Sequence, residues 1–268
     1  MTTAQKIIKY CAVVFGIFLA VSIIGGIVGA VAGISGAVWE DDMIGEMQTY
    51  AVTGAVERLE IDLSGAQLAI KTGESFSVES DHKALKLEDA DGLLRIYEDH
   101  PAVSFHSGAA RIELTVPEDF TFDRVELSAG AGTVTIDALT AEVLSLELGA
   151  GKAEIDRLVA TGSARINGGA GELDVGGGAL ANLKLDMGVG EVNLESRLTG
   201  SCEIDHGVGE LNLTLLGAEE DYRVTLDKGV GEAALDGKKM NDGETYGSGA
   251  NTVRIDGGVG ALRVGFHG

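Results

Sequence analysis

Very little of this chain is aromatic: Phe, Trp and Tyr make up 5% of its 268 residues. A core built without bulky rings is thin, as where two strands face each other across one layer of side chains. Cysteine is nearly absent as well. Cys11 lies in an apolar run and Cys202 at a core-type position, so the two cannot pair and no disulfide holds the fold together. Cations are scarce: 20 Lys and Arg stand against 42 Asp and Glu, a formal net charge of −22. Nucleic acid and anionic lipid are bound through clustered cations, so this balance argues against both for the bulk of the chain.

What is abundant is glycine, and it is periodic. The triplets Gly130-Ala131-Gly132, Gly149-Ala150-Gly151, Gly169-Ala170-Gly171, Gly188-Val189-Gly190, Gly207-Val208-Gly209, Gly229-Val230-Gly231 and Gly258-Val259-Gly260 are seven copies of one motif. From first glycine to first glycine the steps are 19, 20, 19, 19, 22 and 29 residues. A fixed period in this range marks a stacked-repeat architecture. Alternating apolar pairs precede each triplet, such as Leu183/Leu185 and Cys202/Ile204, and follow it, such as Val192/Leu194 and Leu211/Leu213. Period-two alternation means strands with one buried face. The repeat therefore predicts an all-β, single-domain β-solenoid of two-strand coils of about 19–20 residues, joined at glycine corners and paired in parallel about 4.8 Å apart. A sandwich of short hairpin strands is the alternative.

From Tyr10 to Trp39 no residue is charged, which exceeds the roughly 20 apolar residues that span a bilayer as a helix. Lys6 and Lys9 precede the run and Glu40, Asp41 and Asp42 follow it, so the positive-inside rule predicts a cytoplasmic N-terminus and an extracellular repeat domain at the cell membrane. A cleaved signal peptide is the competing possibility, but its apolar region is typically half this length. The domain plan is a cytoplasmic segment 1–9, a transmembrane helix 10–39, an acidic, poorly structured linker 40–52 and a solenoid 53–268. Within the solenoid, irregular capping coils occupy 53–124 and regular repeats 125–266. Residues 237–249 read as a loop bulging from the last coil. That coil, Thr252–Phe266, is expected at the open end of the stack, where an uncovered edge favours self-association.

Aligning the triplets brings acids into columns. Glu172, Glu191, Glu210 and Glu232 follow the last glycine; Asp186, Asp205, Asp227 and Asp256 stand two residues before the first. Unit charges 4.8 Å apart repel by roughly 0.9 kcal/mol even in bulk water. Hard oxygen ligands in register suit Ca²⁺, and Glu172, Glu191, Glu210, Asp186, Asp205 and Asp227 are the candidate ligands. Solvated turns are the plainer explanation, because Asp beside a glycine corner bonds nearby N–H groups. Other motifs fail. Gly168-Gly169-Ala170-Gly171-Glu172-Leu173 has leucine where a β-roll calcium nonapeptide needs aspartate, and a dinucleotide fingerprint would need glycine at Asp174. His100 and His106, on either side of Pro101, lack a third metal ligand at sensible spacing. His206, beside a corner, reads as a surface residue. No catalytic centre or cofactor site emerges.

Ile112-Glu113-Leu114-Thr115-Val116-Pro117, Phe122-Asp123-Arg124-Val125-Glu126-Leu127 and Gly132-Thr133-Val134-Thr135-Ile136 resemble the bacterial "putative adhesin" domain-of-unknown-function family of β-strand-repeat, often membrane-anchored proteins. The resemblance covers about residues 53–266. It implies a non-catalytic binding, adhesion or scaffold role at the cell envelope, with a wall polymer, another envelope protein or a second copy as partner, and an accessory tie to envelope-stress sensing. It carries no catalytic residues. The alternative is a polysaccharide-active β-helix enzyme, for which acids and cations would have to converge in a groove; Arg165, Lys184 and Arg254 instead fall on one outward column.

Overall fold

The chain winds into a stack of parallel coils, seen in a computed structural model that describes residues 44–99 and 110–268. The segment 1–9, the apolar run 10–39, linker residues 40–43, and His100 and His106 lie outside the described residues. Among the described residues no helix is long and apolar enough to cross a membrane. Among the described residues fifteen strands form one sheet. The first six are β1 (Ile44–Ala51), β2 (Arg58–Gly73), β3 (Ser77–His82), β4 (Leu85–Ala90), β5 (Leu93–Glu98) and β6 (Arg111–Pro117). Then come β7 (Phe122–Val175), which runs through several coils, β8 (Gly178–Ala181), β9 (Lys184–Thr199) and β10 (Ser201–Leu216). The last five are β11 (Tyr222–Asp227), β12 (Val230–Leu235), β13 (Lys238–Lys239), β14 (Glu244–Gly247) and β15 (Asn251–His267).

The triplets stack on one another as the period predicts. Gly171, Gly190 and Gly209 are register partners, as are the neighbours that flank them. At Gly190 φ is +144°, and a β-carbon there would lie 1.8 Å from the Gly171 carbonyl oxygen. At Gly149, with ordinary φ, a β-carbon would sit 2.0 Å from Gly130 O. The first glycine of each triplet thus serves close backbone approach; the second serves both that and a backbone conformation other residues avoid. Turning the chain here aligns everything on either side. Ile166, Leu185, Ile204, Ile255 and Leu226 are successive partners across five coils and all are buried. Each such aliphatic side chain contributes about 1.5–3 kcal/mol by leaving water.

Three details depart from the expected plan. Three neighbouring coils hold a third extended segment after the trailing strand: β8 pairs in parallel with Leu158–Ala160 on one side and Arg197–Thr199 on the other. Its inward residues Leu158, Ala160, Leu180 and Leu198 are buried, so the core is closed on a third side rather than by two strands alone. Second, β2 is a full coil inside the stretch read as irregular. It has Ser64-Gly65-Ala66 in place of a triplet, yet keeps register with β7 from Arg58↔Arg124 to Ile70↔Ile136. Third, Ile44–Ala51, assigned to the linker, is a strand, because antiparallel pairing with β3 satisfies its backbone where its own composition is weak.

The order of the coils also differs from the order of the chain. β15, the seventh triplet, is not at the end of the stack. It lies between β10 and the coil made by β11 and β12, parallel to all three. At the other end β2 likewise lies between β7 and the outer β5 and β6. Both outermost coils are then closed by antiparallel strands: β4 on β5, β3 on β6 with β1 on β3, β14 on β11, and β13 on β12. Short antiparallel caps of this kind cover the edges that a bare solenoid would expose. The stretch 237–249 therefore supplies part of a cap instead of a free loop.

The corner argument makes a quantitative prediction. Gly190→Ala should destabilise the domain by roughly 2–4 kcal/mol in chemical denaturation, from the positive φ and the carbonyl contact together. Val189→Ala, one residue away and half-exposed, should cost under about 1 kcal/mol. Equal effects at the two positions would remove the corner from its central place.

Candidate functional site: charged columns on the coil faces

Because register is kept from coil to coil, outward side chains fall into files. On the trailing segments Glu172, Glu191 and Glu210 are successive partners, followed by Ala261 and then Glu232. On the leading segments the file runs Asn167, Asp186, Asp205, Asp256, Asp227. All six candidate ligands thus lie in the files expected of them, three on each segment type. They stand single file along the faces, and among the described residues no group of three or more His, Cys, Asp or Glu side chains converges as a metal site.

The chain supplies its own cations at the ends of these files. Lys152 Nζ lies 2.7 Å from Glu154, 3.3 Å from Glu172 and 3.7 Å from Asp174. Hydrogen bonds to Glu154 and Glu172 hold its ammonium well above the ordinary lysine range. At the far end Arg263 Nη1 donates to Glu210 at 2.7 Å and to Asn212 at 3.1 Å. Arg254 bridges Asp256 (2.9 Å from Nε) and Asp227 (2.8 Å from Nη2). Arg165, Lys184, Glu203 and Arg254 do share one outward file, and Lys184 is 4.0 Å from Glu203.

Between the cations runs a ladder that the triplet columns alone did not reveal. Asn193 Nδ2 donates to Asp174 Oδ1 at 2.6 Å, Asn212 Nδ2 to Asn193 Oδ1 at 2.8 Å, and Arg263 completes it. The signal was present in the sequence: Asp174, Asn193, Asn212 and Arg263 each stand three residues after the second glycine. Asp205 stands outside this ladder. Burial, with the neighbouring carboxylates Asp256 and Asp186, raises its pKa.

Two histidines belong to the interior. His206 is a correction to the surface assignment: it is 3% exposed, with Nε2 3.3 Å from Gly190 O, and burial lowers its pKa. It continues the inward alternation of Cys202 and Ile204, which outweighs its nearness to the corner. His82 packs against Glu98, Nε2 to Oε1 3.4 Å, while its Nδ1 accepts the Ala84 N–H at 3.1 Å. The Ser64 hydroxyl and N–H both donate to the other Glu98 oxygen. Serine, glutamate and histidine meet here, but the carboxylate stands in the middle. A nucleophile needs the imidazole in that place, so the cluster ties β2, β3 and β5 together instead. Burial pushes the Glu98 carboxyl up, and the His82 and Ser64 hydrogen bonds more than offset it, leaving the pKa lowered.

Among the described residues Met47 is the one large hydrophobic side chain that is exposed. A groove of about 290 Å³ on the leading face is lined by Glu60, Asp62, Glu126, Ser128, Ser145 and Glu147. Two of its acids are paired, Glu60 with Arg95 at 3.0 Å and Glu126 with Arg124 at 3.5 Å.

The Toastrack DUF4097 family profile matches residues 56–243. No curated protein matches the chain. Among solved structures, similarity extends to a "putative cell adhesion protein" from Clostridium sporogenes, at 16% identity over 83% of this chain and 99% of that one, with a TM-score of 0.35. A "putative adhesin" from Bacteroides fragilis is 13% identical over 82% and 96%, with a TM-score of 0.41. A "putative lipid binding protein" from Parabacteroides distasonis is 14% identical over 81% and 96%, with a TM-score of 0.34.

Two expectations follow for the carboxylates. Asp205, with a raised folded-state pKa, costs stability once ionised, so Asp205→Asn should stabilise the fold at neutral pH by roughly 0.5 kcal/mol, the size of a cross-strand like-charge pair. Glu98, with a lowered pKa, contributes stability above its unfolded pKa that is lost as pH falls through its folded one, so Glu98→Gln should destabilise at neutral pH. Both differences should fade in melts run below the carboxylate range; differences independent of pH would refute these assignments. Thermal unfolding in Ca²⁺ and in chelator should give coincident curves, since Lys152, Arg254 and Arg263 already stand against the acids. A midpoint many degrees higher in Ca²⁺ would make the files a cation site.

Proposed function

We propose a function from one premise, that the chain belongs to the Toastrack DUF4097 family, the kind of repeat family to which Ile112–Pro117, Phe122–Leu127 and Gly132–Ile136 pointed: it is a membrane-anchored binding or scaffold module of the cell envelope. The observation that carries this is the arrangement of the outward side chains. In-register stacking spreads them over flat faces in fixed files, and those described neither converge on one reacting point nor form a large apolar patch. Such a surface suits repeated polar contacts with an extended or repetitive partner, a wall polymer or another envelope protein. The acidic files favour a partner that presents cations.

The anchor is the uncharged run 10–39, and the bias of Lys6 and Lys9 against Glu40, Asp41 and Asp42 sets the repeats outside the cell. A rigid module held at the membrane surface is also a suitable accessory to envelope-stress sensing, where occupancy of its faces would be the signal.

The full chain, tagged at its end and expressed in bacteria, should stay in the membrane fraction through an alkaline carbonate wash. Protease added to cells stripped of their wall should remove the repeat domain. Release by carbonate would sink the anchor, and full protection would reverse the orientation. Turnover of a cell-wall glycan by the purified chain would favour the polysaccharide-enzyme alternative.

A further inference from the structure

The seventh coil, expected at the open end of the stack, is interior, because β15 is paired on both sides. The open edges lie on the caps instead. Among the described residues four strands pair on one side only: β1 with β3, β4 with β5, β13 with β12 and β14 with β11. The outer side of such a strand is a row of N–H and C=O groups able to template another strand.

Three of these edges are blunted by length or charge. β13 is Lys238–Lys239 alone, too short to pair and doubly positive. β14 has four residues, beginning at Glu244 and ending at Gly247 with a φ of +74°. β4 has charges at Lys86, Glu88 and Asp89 among its six residues. β1 is the open one. Its eight residues include one charge, Glu46, and no lysine or proline, and the run Glu46–Thr49 is exposed. Within that run lies Met47, 49% exposed.

Two features make a second copy of β1 the fitting occupant. The first is self-complementarity. Antiparallel pairing about a twofold sets one residue opposite its own copy, with the other pairs placed symmetrically around it. β1 is regular on β3 from Gln48↔Ser80 to Ala51↔Ser77, after an irregularity between Ile44 and Gln48. Centred on Thr49, this stretch would face itself: Thr49 meets Thr49, Gln48 meets Tyr50 and Met47 meets Ala51. Met47 of each copy is then covered, and Glu46 faces Val52, so no like charges stand opposed. The contact stops short of Thr53 and Gly54, whose N–H groups Asp89 Oδ2 holds at 2.7 and 2.6 Å.

The second feature is position in the chain. Four residues separate β1 from the uncharged run that ends at Trp39. On the membrane-anchored reading, on which this argument rests for how copies meet, β1 is the first described strand beyond the bilayer in every copy. Edges of neighbouring copies are then held at one level, which raises their effective concentration.

We propose that the outer edge of β1 pairs antiparallel with β1 of a second copy of this chain, centred on Thr49, joining two modules through one continuous sheet. Main-chain hydrogen bonds supply the attraction, as in other strand additions. The coils and caps of each module stay as they are, and the flat faces remain free for a different partner.

The test uses the full chain in bacterial membranes with Cys11→Ser as background; Cys202 is buried and stays. Thr49→Cys, Met47→Cys and Ala51→Cys are made singly, and exposed Thr161→Cys sets the level of chance collision. Opposed residues of an antiparallel pair are close enough for a disulfide. After mild oxidation Thr49→Cys should give about tenfold more disulfide dimer than Thr161→Cys. Met47→Cys and Ala51→Cys should each stay near the control alone and link to one another when coexpressed. Equal dimer at all four positions would overturn the proposal, as would linkage of Thr49→Cys to a different protein in place of its own copy. Carbonate extraction of the same membranes reports the anchor separately. Thr49→Cys dimer at the control level overturns the pairing, whether or not the chain is retained. A chain released by carbonate that still gives the tenfold excess upholds the pairing and sinks the anchor alone.

Discussion

The structure depends on one close approach. At each glycine triplet the backbone passes over the neighbouring coil with no space for a β-carbon, and the second glycine of each triplet has a φ that side chains disfavour. That contact is small in area and contributes little apolar burial. Its importance is geometric: it sets the register at one point per coil, and parallel pairing carries that register outward along both strands. Isoleucine and leucine then stack on their counterparts, and a core with few aromatic rings still fills.

The same register has an electrostatic cost. Whatever charge stands at one position recurs one strand spacing away, so a repeat that favours Asp or Glu builds a file of like charges. Asp205, between Asp186 and Asp256, shows the result in its raised pKa. Elsewhere the file is broken rather than tolerated. Lys152 replaces the glutamate one coil earlier, Ala261 replaces it one coil later, and Asn193 and Asn212 turn the adjacent file into a hydrogen-bonded ladder between Asp174 and Arg263. Departures from the repeat are thus where the chain relieves the strain that repetition creates.

Both ends of the stack follow one scheme. The outermost coil is not the first or last in the chain, and the strand beneath it, β2 at one end and β15 at the other, is held on both sides. Antiparallel hairpins then finish the edge. A repeat protein needs atypical terminal units because its regular coils would otherwise keep adding strands. Here the atypical units retain the inward alternation and lose the triplet, as β2 does with Ser64-Gly65-Ala66, or keep the triplet and change place in the order, as β15 does.

The sequence by itself determined the coil. Gly-Ala/Val-Gly at steps of 19 or 20 residues, with alternation on both sides, specifies a corner between two strands, which outward residues share a file, and that the files are acidic. These are local matters, set by φ preferences and a period of two. The tertiary structure decided what local pattern cannot carry. The third segment at Leu158–Ala160 and β8 is too short to show a period. The coil in β2 lacks the glycine signal, and β1 is ordered by its partner β3. The place of β15 between β10 and the outer coil is a pairing of segments separated along the chain. Likewise Ser64, Glu98 and His82 meet only because three strands converge. Period and glycine write the repeat; long-range strand pairing sets the order in which the repeats stack.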